Sequence, residues 1–222
     1  MLGTRESRTF ASIIGGKIAI KCEEGTPGCV KRDYEIKATG EKGTKYEMQY
    51  DYLKGVIEKI EFVDGKFGQQ IQILIDGTTL VMGTDSKYGS DFMKKLPGIN
   101  FDEVVTIRPY SMEKDGKKLA GVTVYQQGDG EDAVKIADQF YNKDTKEYNN
   151  GFPKPKKETE KMSKTDWKSY FIGVQEFLVE YIINNVQEKV NSRTGFESIT
   201  SNDEEEQELN IDDMPFNDED KI

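Results

Sequence analysis

The stretch Val56–Ile75, VIEKIEFVDGKFGQQIQILI, decides the fold. Side chains on a strand alternate between faces, so Val56, Ile60 and Phe62 share one parity while Ile57, Lys59 and Glu61 share the other. Asp64-Gly65 supplies the positive-φ dipeptide favoured in tight hairpins, and Gln70–Ile75 then returns with Ile71, Ile73 and Ile75 on one face. A β-hairpin is the expectation.

Outward from this hairpin the chain continues in the same style. Upstream, Tyr46–Phe62 reads as one β stretch, and Lys17–Cys22 and Val30–Ala38 alternate around the turn-rich EEGTPG as a further hairpin. Downstream, Thr78–Met82 adds a short strand. Asp85–Leu96 reads as a helix, with Tyr88, Phe92 and Leu96 at i, i+4 and i+8 and Asp85 as its N-cap. Val104–Tyr110 and Leu119–Gln126 are the closing strands, joined around Lys114-Asp115-Gly116-Lys117. Three strands, a helix and two more strands resemble the OB-fold, a five-stranded Greek-key barrel with its helix between the third and fourth strands. A β-sandwich is the alternative, disfavoured by the single interposed helix.

The expected organisation is a mainly β protein: a polar arm over 1–16, an OB-like domain over 17–127, a linker over 128–162, a helix over 163–192 and an acidic tail over 193–222. In Thr165–Val190, residues from Trp167 to Val186 carry the broad apolar face of an amphipathic helix. Such a face must be covered. Docking on the barrel of the same chain is favoured, with a homo-oligomer as the alternative.

The chain has 222 residues and a formal net charge of -10, a sign that ordinarily argues against a polyanionic partner. The distribution reverses that inference. Ser201–Ile222 holds ten carboxylates against Lys221, a net of -9, which leaves -1 for residues 1–200. A near-neutral body can carry a basic groove on one face. Mean hydropathy of -0.71 fits a chain of which part is solvated, and beyond Asn191 the acidic composition predicts disorder.

No apolar run approaches the length needed to cross a bilayer, and no basic stretch followed by an apolar run opens the sequence. A cytoplasmic protein with no membrane partner is expected, in the bacterial host cytoplasm if the chain is viral. With two cysteines, Cys22 and Cys29, and no histidine, a Cys/His zinc site cannot form within one chain; reduced thiols are expected over a disulfide. There is no GxxxxGK[ST] loop and no imidazole base, so neither cofactor nor enzymatic activity is expected. A carboxylate-only nuclease is the one enzymatic alternative.

Single-stranded nucleic acid is held by cations on its backbone and aromatic faces on its bases. Arg108, Tyr110 and Tyr125 share outward parity on the closing strands, with Lys117 and Lys118 at the connecting hairpin. Tyr46, Tyr50 and Tyr52 form a second same-parity stripe, and Lys66 with Phe67 sits at the first hairpin's tip. These are the candidate DNA contacts. Each tyrosine taken singly is more often ordinary cross-strand packing.

In the tail, Ile211, Asp212, Asp213, Met214, Pro215 and Phe216 embed apolar anchors in acid as IDDMPF. The motif resembles the DDIPF-type tip with which bacterial single-stranded DNA-binding proteins recruit replication and repair enzymes, except that NDEDKI follows Phe216. The central block, YDYLKGVIEKIEFVDGKFGQQIQILID and DSKYGSDFMKKLPGINFDEVVTIRPYSMEKDGKKLAGVTVYQQ, resembles the OB-fold single-stranded DNA-binding proteins of tailed phages over roughly half of the chain. This resemblance implies sequence-tolerant binding of single-stranded DNA in phage replication and recombination, with partner proteins recruited through the tail. A phage structural or assembly protein, using the barrel as a protein-binding module, is the alternative.

Overall fold

In the computed structural model, residues 8–36, 40–65, 68–128 and 132–194 are described. Ten strands precede the C-terminal third: β1 Thr9–Ile14, β2 Lys17–Lys21, β3 Val30–Ile36, β4 Glu41–Tyr50, β5 Leu53–Gly55, β6 Ile57–Gly65, β7 Gly68–Ile75, β8 Thr78–Gly83, β9 Val105–Lys114 and β10 Lys117–Gln126. Helix α1, Lys87–Met93, lies between β8 and β9. Three two-residue strands follow: β11 Val134–Lys135, β12 Tyr141–Asn142 and β13 Glu147–Tyr148.

The protein is mainly β, and its strands form open sheets. Seven pair in the order β3-β4-β2-β1-β8-β7-β6, four in the order β11-β10-β9-β5, and β12 pairs with β13. Only Val56 separates β5 from β6, so one run of chain serves both large sheets. Gly55 makes this crossing feasible: a Cβ there would lie 2.4 Å from Asp76 Oδ2 and 2.7 Å from Ile75 Cγ2.

The central hairpin forms as expected, with Ile71, Ile73 and Ile75 all buried. Its other strand departs from strict alternation. A bulge between Ile57 and Lys59 inserts one residue, so Ile57 and Ile60 are both buried and the Val56, Ile60, Phe62 stripe is broken. Asp64 and Gly65 are not the turn's centre, because they pair with Gln69 and Gly68. By contrast, Asp76-Gly77 and Asp115-Gly116 both have positive φ at each residue, and they close β7–β8 and β9–β10.

Several expectations change. Part of the expected arm is a strand, since β1 runs parallel to β8 and antiparallel to β2. The anticipated pairing of β2 with β3 does not occur, because β4 lies between them and pairs with both. Cys22 and Cys29 are joined in a disulfide within the β2–β3 connection rather than being free thiols. Helix α1 is capped by Ser86, whose hydroxyl accepts from the Gly89 N–H, rather than by Asp85.

The long C-terminal helix is α2, Lys164–Ile182, continued by a π-helical turn over Ile183–Gln187 and by α3, Glu188–Asn191. A reciprocal capping box between Ser163 and Asp166 starts it. Val174, Leu178, Ile182, Val186 and Val190 are its buried residues, all four apart. In an α-helix that spacing drifts by about 40° per step, and the wider π turn turns the stripe back toward the core. Burying each such side chain stabilises by roughly 1.5–3 kcal/mol, ample reason for the helix to dock on its own chain.

Two polar clamps fix it there: Gln175 Nε2 donates to Thr84 Oγ1 at 2.7 Å, and Asn191 bonds both the N–H and the C=O of Ile60. The segment expected to be a linker is part of the same packing. Phe140 and Phe152 are buried in it, Phe140 edge-on to Phe177 and Tyr181.

Candidate nucleic-acid interface

Alternation along β9 and β10 sorts the four-stranded sheet into two faces. Val105, Ile107, Val122 and Val124 are fully buried on the inner one. On the outer face the register draws a row across all four strands: Lys54 opposite Thr106, Thr106 opposite Tyr125, and Tyr125 opposite Lys135. With strands about 4.8 Å apart, a row of four spans about 14 Å. Lysines stand at both ends, with Tyr125 between them. Lys54, Thr106 and Tyr125 also line a shallow cleft of about 410 Å³ with Glu103, Val104 and Gln127.

The next row, about 6.7 Å along the strands, pairs Arg108 with Thr123. Arg108 is exposed, and its guanidinium lies 5.8 Å from the centre of the Tyr52 ring. The Asp51 carboxyl is held below its usual range, first by its hydrogen bond from Lys17 and further by the charge of Arg108. Beyond Arg108 come Tyr110 opposite Gly121, the exposed pair Met112 and Leu119, and Lys114 opposite Lys117.

The expected contacts therefore divide. Arg108, Tyr125 and Tyr52 come together on one face. Tyr110 shares their parity, but its ring lies over Gly121, where a Cβ would meet the Tyr110 hydroxyl at 2.6 Å. Burial raises the Tyr110 phenol above its usual pKa, with the charge of Asp91 adding to it. Lys117 extends the face at the hairpin end, while Lys118 stands opposite Glu113 with the other parity.

Tyr46 and Tyr50 belong to the seven-stranded sheet. The Tyr46 hydroxyl donates to Glu24, the first cause of its raised pKa, while Tyr50 is well exposed beside Met48. The expected tyrosine stripe is thus broken: Tyr46 and Tyr50 lie on β4, whereas Tyr52 lies in the connection from β4 to β5, beside Arg108. Lys66 and Phe67, and Ile211, Asp212, Asp213, Met214, Pro215 and Phe216, lie outside the described residues.

Lys54 and Lys135 were not among the expected contacts. Lys54 has the right parity to be read from the sequence, but Lys135 lies in the expected linker, and only pairing with β10 brings it beside Tyr125. At the edge of β10, beside the Tyr110 hydroxyl, Asp91 Oδ2 accepts the Val122 N–H at 2.8 Å and its other oxygen binds the buried Lys95. Desolvation lowers the Lys95 pKa despite that partner. The β10 edge is thereby fixed to α1. Among the described residues no cluster of three or more carboxylate, thiol or imidazole groups is placed to hold a metal, and no helix is long and apolar enough to cross a membrane.

No protein-family model matches the chain, and neither curated proteins nor solved structures return a match.

Proposed function

We propose that this chain is a non-enzymatic, sequence-tolerant single-stranded DNA-binding protein of phage replication and recombination, holding the strand on the outer face of the four-stranded sheet. The observation that carries the reading is the Lys54–Thr106–Tyr125–Lys135 row beside Arg108. It offers backbone cations on both sides of an aromatic face, the two elements that sequence-tolerant binding needs. The acidic tail would recruit partner proteins through Ile211, Met214 and Phe216.

In this reading β5/β6, β7, β8, β9 and β10 are the five strands of an OB-type unit, with α1 interposed. The shared run β5/β6 and its pairing with β9 support it. The unit is opened between β8 and β10, whose neighbours are β1 and β11 instead.

Fluorescence anisotropy with labelled oligothymidine at two salt concentrations tests the proposal. Replacing Arg108 and Tyr125 together by Ala removes one phosphate contact and one stack. The stack alone is worth about 1–3 kcal/mol, roughly 5- to 150-fold in affinity, and the lost contact flattens the logarithmic salt slope by about 0.7. A parent chain that binds no oligonucleotide at low salt would refute it, favouring a protein-binding module of a phage assembly.

A further inference from the structure

The start of α2 carries an aromatic group that the core does not use. Trp167 and Phe171, one turn apart, stack on each other with ring centres 5.5 Å apart and planes 22° from parallel. Both are half-exposed. Tyr170 meets Trp167 edge-on at 5.9 Å and packs against the rim of the core. Ile172 beside them is 46% exposed. Trp167 and Phe171 are absent from the buried stripe of Val174, Leu178, Ile182, Val186 and Val190, and together with Ile172 they leave a contiguous apolar patch at the start of the helix, the kind of patch that marks a binding surface.

The charge around it says what that something is. Lys154, Lys156, Lys157, Lys161, Lys164 and Lys168 fall within fifteen residues that hold three carboxylates, a local net of +3 in a chain of net -10. Two of those carboxylates are neutralised internally: Asp166 by Lys157 and the Ser163 cap, Glu158 by Lys161. The basic segment is also tied to the aromatic one. The Tyr170 hydroxyl donates to the Pro153 carbonyl at 3.2 Å, and Lys157 bonds Asp166 at 2.9 Å, so the PKPKK run is held along the first turns of α2. On the helix itself Lys164 and Lys168 alternate with Trp167 and Phe171 at the three- and four-residue spacings that place neighbours side by side.

We propose that Trp167 and Phe171, with Lys164 and Lys168, form a second contact surface for single-stranded DNA, separate from the sheet. An ordinary protein partner with an apolar patch would not call for so dense a cationic fringe, whereas a polyanion carrying stackable bases matches both features. The inference rests on the single-stranded DNA-binding reading and extends it from one face to two.

Trp167 is the only tryptophan in the chain, so it reports on its own site. The full-length protein is titrated with oligothymidine of about 30 nucleotides while its emission is followed. Quenching on binding is expected, with at least about fivefold weaker affinity for Phe171→Ala, the low end of one lost stack. Lys164→Gln with Lys168→Gln should flatten the logarithmic salt slope by about 1.4, two phosphate contacts at the single-strand value. These exposed lysines can be changed without disturbing the capped helix, which circular dichroism verifies.

Unchanged emission, affinity and salt slope in a parent chain that still binds DNA would overturn the second surface while leaving the sheet reading intact. Quenching by a synthetic peptide of residues 203–216, without quenching by oligothymidine, would overturn it in favour of an acidic peptide ligand. A parent chain that binds no oligothymidine at low salt would overturn both readings.

Discussion

Asn191→Ala tests how the C-terminal helix is held. Strand β6 is the last of the seven-stranded sheet, and the edge facing away from β7 meets the end of this helix. Asn191 bonds that edge as a strand would: the Ile60 N–H donates to its Oδ1 at 3.0 Å, and its Nδ2 donates to the Ile60 carbonyl at 3.1 Å. Ile60 is completely buried. Truncating Asn191 leaves two backbone groups without their partners, each at about 1–3 kcal/mol. Because Asn191 is itself only half-buried, water can reach part of the gap, and about 2–3 kcal/mol in total is expected. For a chain of this size that lowers Tm by roughly 4–12 °C. Urea denaturation and thermal melts measure both. Asn185→Ala is the control, since its amide donates to Tyr181 O on the exposed side of the same helix and should change stability by less than about 0.5 kcal/mol. An Asn191→Ala protein as stable as that control would refute the clamp.

Deleting Ser201–Ile222, which removes a net of -9, should tighten oligothymidine binding, most visibly at low salt where screening is weakest; unchanged affinity at low salt counts against a tail that competes with DNA. Met214→Ser with Phe216→Ser should abolish pull-down of a replication partner while leaving DNA affinity near the parent value, because buried apolar anchors dominate a bound interface. Reducing the Cys22–Cys29 disulfide, which closes a loop of about eight residues, should cost roughly 2.5 kcal/mol by loop entropy, read as a melting shift with and without dithiothreitol. The Asp166 carboxyl is held down to about 2, first by the Ser163 backbone N–H and then by Lys157. Its contribution is present above the ordinary carboxylate range and is lost as pH falls through about 2, so Asp166→Asn should melt below the parent at neutral pH, with the difference shrinking as pH falls toward 2.

The parts of the fold legible in the sequence were those set by local periodicity. Ile71, Ile73 and Ile75 alternate without interruption, and Tyr88 and Phe92 lie one turn apart on α1, while Leu96, expected on the same helix, opens a separate 3-10 turn after α1 ends at Met93; all six are buried. What was not legible depends on partners distant in the chain. TFASII becomes a strand because β8, more than sixty residues later, offers it a parallel edge. Lys17–Lys21 passes over the neighbouring strand to pair with β4, while the disulfide closes the connection between them. Phe140 and Phe152 fall in a segment rich in polar residues, with no period to mark them. Their burial follows from the rings that α2 presents at Phe177 and Tyr181, so part of the cover for the helix's broad apolar face comes from residues that read as a linker.

The same division runs through the candidate interface. Parity along one strand correctly puts Arg108 and Tyr125 on a common outer face, since antiparallel pairing keeps opposite residues on the same side. Parity cannot say what stands opposite. Tyr110 differs from Tyr125 through its partner: Gly121 has no side chain to hold the ring away, so Tyr110 lies over it towards Asp91, whereas Tyr125 has Thr106 on one side and Lys135 on the other. The step from stripe to site is therefore made by register, and register here is set by two short strands, β5 and β11, of three and two residues. If Tyr125 stacks on a base, the lysines these strands bring to either side are where the flanking phosphates should fall. Lys54→Ala and Lys135→Ala should then each lower the salt slope by about 0.7, while Lys118→Ala, on the opposite face, should leave it unchanged. Equal effects from all three substitutions would show that general charge, rather than this row, attracts the strand.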